Sequence, residues 1–122
     1  MLLNIYPKEF NGKNIIFIDG KKLAKVLHSN NIQFVWGVLS GFKKDVNIDI
    51  NNLDVIPFVD GNSSLWTKDV RIQHPLATVE IVCFDSSCTL LLSNDRELLQ
   101  RFHNVFTDAK DLIKYNLLSL FL

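Results

Sequence analysis

Ala77-Thr-Val-Glu-Ile-Val-Cys-Phe-Asp-Ser-Ser-Cys-Thr-Leu-Leu-Leu-Ser93 holds two runs rich in β-branched and apolar residues, joined by the polar Asp85-Ser86-Ser87. Runs of this kind around a polar step read as a β-hairpin. If Ser86-Ser87 is a two-residue turn, Cys83 faces Leu90 and Ile81 faces Leu92, and Val79, Ile81, Cys83, Leu90 and Leu92 form one apolar face. Ser-Ser is a poor primed turn, and a longer loop shifts the register and exchanges the faces.

Outward from the hairpin, other segments take their own periods. Leu2 to Tyr6 and Lys13 to Ile18 are strand-like runs separated by Pro7 and Asn11-Gly12. Asp19 is placed to cap a helix of about ten residues with Leu23, Val26 and Leu27 on one face, and Asn30-Asn31 offers a left-handed stop. Ile32 to Phe42, aromatic and β-branched with two glycines, reads as a partly buried strand. Asp45 to Asn52 alternates polar and apolar, which predicts a strand with Val46, Ile48 and Ile50 inward; another is expected at Val55 to Val59. Residues 60–75 lack a period and read as an exposed loop. Past the hairpin, Ser93-Asn94-Asp95 starts a helix, Asn94 and Glu97 having capping-box spacing, with Leu98, Leu99, Phe102, Val105 and Phe106 as its stripe. Thr107-Asp108 restarts a second helix that runs through Asp111, Leu112 and Tyr115 to an apolar tail, Leu117 to Leu122. Strands followed by helices without βαβ alternation predict a single α+β domain spanning 1–122, a mostly antiparallel sheet covered by two or three helices on one face.

The charge balance narrows function. The 122 residues carry 13 Lys plus Arg and 13 Asp plus Glu, divided 7 to 6 over residues 1–61 and 6 to 7 over 62–122. That even spread lacks the basic footprint of a general nucleic-acid binder. Met1 to Pro7 shows no cationic start before a long apolar run, and Leu117 to Leu122 is far short of the ~20 residues that cross a bilayer, so a cytoplasmic protein with no membrane partner is expected. There Cys83 and Cys88 are expected to stay thiols and pack as small apolar side chains.

Motifs of chemistry are incomplete. Asp45, Asn47 and Asp49 match the first ligands of a calcium loop, but Ile50 stands where the turn needs Gly and Ile56 where closure needs Glu. The two cysteines lack the further ligands of a zinc site, and the five glycines lie too far apart for a phosphate loop. His28, His74 and His103 accompany no nucleophile elbow. No metal, cofactor or catalytic set is therefore expected. Lys21, Lys22, Lys25, Lys43 and Lys44 read as solvated positions.

What stands out is an acidic and aromatic stretch. Asp45, Asp49, Asp54, Asp60 and Asp69 accompany Phe58 and Trp66 in a region expected to be partly exposed. Carboxylates around an aromatic anchor suit a basic protein partner, the charge steering encounter and the ring supplying affinity; Trp66 could equally pin the loop to the core. A domain with this Asn/Lys/Ile/Asp-rich composition, no catalytic or cofactor signature and the stretch from Asp45 to Trp66 resembles the small bacterial immunity proteins of contact-dependent inhibition and related polymorphic toxin systems. The resemblance implies a non-enzymatic protein that binds a cognate toxin domain, commonly a nuclease, and blocks its active site. Asp45, Asp49, Asp54, Asp60 and Trp66 are the expected partner surface. Two other readings compete: a small enzyme or ligand-binding domain around His74, Glu80 and Asp85, and a homodimer or other homo-oligomer joined through the apolar tail from Leu117 to Leu122.

Overall fold

The computed structural model describes residues 2–4 and 15–119. It is a single-domain α+β arrangement. Strands β1 (Leu2–Asn4), β2 (Ile15–Phe17), β3 (Gly37–Gly41), β4 (Val79–Phe84) and β5 (Cys88–Ser93) form one sheet in the order β2-β1-β3-β4-β5, every neighbouring pair antiparallel. Helices α1 (Gly20–Ser29), α2 (Arg96–Val105) and α3 (Leu112–Ser119) complete the fold. The turn expected between the first two strands lies outside the described residues.

The hairpin forms, but in the shifted register. Asp85 and Ser86 both take positive φ, 48° and 54°, and Ser87 donates its N–H to the Phe84 carbonyl at 2.9 Å. The primed turn is therefore centred one residue earlier than Ser86-Ser87, and Ser87 is an extra residue before the strand resumes. Phe84 pairs with Cys88, Val82 with Leu90 and Glu80 with Leu92. Since the side-chain period of a strand is two, this slip moves Leu90 and Leu92 onto the face of Val82 and Glu80, away from Val79, Ile81 and Cys83.

Both faces are covered, which corrects the one-sided sheet. On one, Leu39 and Cys83 pack with Ile18 and with Leu23 of α1. On the other, Val38, Val82, Leu90 and Leu92 pack against Val59 and Leu65 of the long connection between β3 and β4, with Leu112 of α3 beside them. The strands expected at 45–52 and 55–59 are absent, and the run from Ile32 to Phe42 is strand only over β3. Asp49 accepts the Asn51 N–H at 3.0 Å, and such a local turn competes with strand pairing. Pro57 has no N–H for a ladder. Burial still alternates, with Val46 and Ile48 half-buried between exposed polar neighbours, so the pattern records a semi-buried coil.

Helix ends differ by small local choices. Asp19 caps α1 through the Lys21 N–H at 2.8 Å, while Asn30 is extended (φ −132°), not left-handed, and both its N–H and its side-chain amide reach the Val26 carbonyl. Leu23 is buried and Leu27 is exposed. Asp95, not Asn94, caps α2, accepting from Glu97 and Leu98, and α3 begins only after Asp111, which accepts from Lys114 at 3.1 Å. The stripe of α2 is formed but no residue of it is fully buried; Val105 and Phe106 stand exposed. In the apolar tail Leu117 and Leu118 are exposed, whereas Asn116 just before it is buried, and 120–122 lie outside the described residues.

Gly41 is a close approach. A Cβ there would lie 2.7 Å from Val79 Cγ1, a stiff β-branched side chain on a paired strand. Gly41→Ala is expected to destabilise by about 1–3 kcal/mol, read as a lower urea midpoint with an unchanged slope.

Candidate functional site

Covering both faces of the sheet places a carboxylate in the core. Glu80 is fully buried, facing the long connection. A buried carboxylate must find donors or a cation, and this one has three donors: the Gln73 N–H on Oε1 at 2.6 Å, and the Ser40 hydroxyl (2.8 Å) and His74 N–H (3.1 Å) on Oε2. Glu80 thus ties residues 73 and 74 to the sheet.

The tie continues outward through side-chain amides. Gln73 Oε1 accepts the Phe58 N–H at 2.9 Å and its Nε2 donates to the Phe58 carbonyl at 3.0 Å, so one side chain holds Phe58 as a neighbouring strand would. Asn62 Nδ2 donates to the same carbonyl (2.9 Å) and to Gln73 Oε1 (3.1 Å), while Asn62 Oδ1 accepts from the Ser64 N–H and caps a 3-10 turn at Ser63–Trp66. Asn116 of α3 closes the far side, donating to the Leu65 and Thr67 carbonyls at 3.0 and 2.8 Å. The connection lacks regular strands but is clamped by buried polar groups.

The clamp holds Phe58 by its backbone and leaves its side chain half exposed (48 %), in a stretch of chain that also exposes Ile50, Val55 and Ile56. Asp45, Asp49, Asp54 and Asp60 are all exposed around this stretch, and no Lys or Arg occurs between Asp45 and Lys68. Trp66 does not stand out beside them. Its ring meets Phe84 edge-on at 5.2 Å within the core layer, so it pins the loop, and the exposed aromatic of the acidic stretch is Phe58.

His74, Glu80 and Asp85 do not converge. His74 reaches Glu80 through its main chain; its ring Nδ1 accepts the Leu76 N–H at 3.1 Å, and the ring packs edge-on against Phe42. Asp85 sits on the exposed hairpin turn, roughly 17 Å along the strand from Glu80. Of the cysteines, Cys83 is buried and Cys88, expected to pack, is exposed at the start of the edge strand. Desolvation pushes both thiols up, away from the reactive thiolate. Among the described residues no cluster of His, Cys, Asp or Glu is arranged to hold a metal ion, and no helix is long and apolar enough to cross a membrane.

Beside Phe58 runs a groove of about 560 Å3, with Phe58 and Ile72 as its apolar part, Asp69 and Arg71 as its charges and Ser64 and Thr67 as its hydroxyls. No known protein family, curated protein or solved structure matches this chain.

The clamp was not foreseen from the sequence. Glu80 reads as a solvent-face residue if the sheet has one covered side, and its position between Val79 and Ile81 signals burial only once a second cover is allowed. Asn62-Ser63-Ser64 does carry a cap signature, an Asx residue two positions before a main-chain N–H that it can accept.

Proposed function

We propose that this chain is an immunity-type protein: it binds a cognate toxin domain in the cytoplasm and blocks its active site with the acidic and apolar segment 45–60. The reading rests on one observation, an exposed aromatic side chain on a backbone held by side-chain amides, the half-buried Gln73 at both its N–H and its carbonyl and the buried Asn62 at the carbonyl. A ring displayed this way loses little conformational freedom on binding, so most of its buried area counts toward affinity. Asp45, Asp49, Asp54 and Asp60 supply the complementary field for a basic surface, and nuclease active sites are basic because they hold phosphates. Trp66 contributes by fixing the loop from beneath.

The test is association with the toxin-like product encoded beside its gene, followed by stopped-flow mixing at several ionic strengths. The association rate is expected to fall as salt rises, with the steepness reduced when Asp45, Asp49, Asp54 and Asp60 are changed to Asn. Salt-independent association would move the interface elsewhere.

A further inference from the structure

Asp69 and Arg71 line the same groove, and among the described residues neither has an ion-pair or hydrogen-bond partner. Both are exposed, on the non-strand segment that follows the 3-10 turn, while the neighbouring Val70 and Ile72 are half-buried against the second core, Ile72 also reaching the groove. Opposite charges held two residues apart but unpaired, beside an aromatic ring and an aliphatic side chain, are the complement of a small dipolar molecule with an apolar group. The volume, about 560 Å3, falls within the range of small-molecule sites.

We infer that this groove binds a zwitterionic α-amino acid with an apolar side chain. The ammonium group lies by Asp69, the carboxylate by Arg71, and the side chain lies against Phe58 and Ile72, while the hydroxyls of Ser64 and Thr67 offer further hydrogen bonds. Oxygen of Thr67 is already a donor to the Ser64 carbonyl at 3.0 Å, which leaves its lone pairs toward a ligand donor. This inference does not depend on the protein partner proposed above, although both use Phe58.

The test is a titration of the full chain, followed by backbone amide NMR, with L-phenylalanine, N-acetyl-L-phenylalanine (no ammonium) and L-phenylalaninamide (no carboxylate). L-Phenylalanine is expected to shift the amides of Ser64, Thr67, Asp69 and Arg71 with a dissociation constant on the order of millimolar, as befits a ligand of its size. Each blocked analogue is expected to bind about threefold or more weakly, the scale of one exposed charge pair. Asp69→Asn should abolish the discrimination against the N-acetyl compound alone, and Arg71→Gln that against the amide alone; both residues are exposed and, among the described residues, make no hydrogen bond, so folding is spared. Equal binding of all three compounds, shifts confined to other residues, or no shifts at all would overturn the assignment, and none of these results bears on whether a protein partner docks at 45–60.

Discussion

Replacing Glu80 with Ala is expected to destabilise the protein by about 3 kcal/mol, a fall in melting temperature of about 10 °C for a domain of this size. The substitution removes three acceptor contacts at once and leaves the Gln73 and His74 N–H groups and the Ser40 hydroxyl buried without them. Glu80→Gln separates charge and shape from hydrogen bonding. Its amide keeps one oxygen, but the NH2 confronts a main-chain N–H, so a loss of about 1–3 kcal/mol is expected even in this near-isostere. Glu97 makes a useful contrast. It faces Arg101 at 3.9 Å on the open surface of α2, and Glu97→Gln is expected to leave the melting temperature unchanged. The same Glu80 variants should speed hydrogen exchange at the Phe58 amide, because the main chain of Gln73 is anchored by Glu80 and its side chain in turn anchors Phe58.

Phe58→Ala is expected to do the opposite: stability nearly intact, recognition lost. The side chain is half exposed, and the three main-chain hydrogen bonds at residue 58 do not need it. Truncating a well-presented aromatic at the centre of an interface typically costs at least ~2 kcal/mol, so affinity for the toxin partner is expected to fall about 30-fold or more. Trp66→Ala distinguishes display from support. Trp66 packs on Phe84 in the core layer, so its loss should lower stability first and affinity only through the loosened loop.

Much of the architecture was legible in the sequence because strong periodic signals survive folding. The stripe of Leu98, Leu99 and Phe102 marks α2, Asp19 marks the start of α1, and the two β-type runs mark the hairpin. What failed were features decided by a single residue or by a distant neighbour. Ser87 became an extra residue in the turn, and that one step reassigned Leu90 and Leu92 to the other face. The alternation at 45–52 predicts a strand, but Asp49 turns the chain locally, and in the segment 55–59, also expected as strand, the Gln73 side chain stands where a strand would pair with Phe58. No period announces an amide fifteen residues away. Phe58 and Trp66 are equally aromatic on paper; which is exposed depends on Phe84, brought beneath Trp66 by the sheet.

The most direct measurement is calorimetric titration of the neighbouring toxin domain with the wild-type chain and Phe58→Ala in the same buffer. Binding that weakens about 30-fold or more in the variant, with the variant's melting temperature within a degree or two of wild type, is the result that a clamped, acid-flanked Phe58 requires. Equal affinity for both chains, or no heat of binding with the wild type, would contradict it.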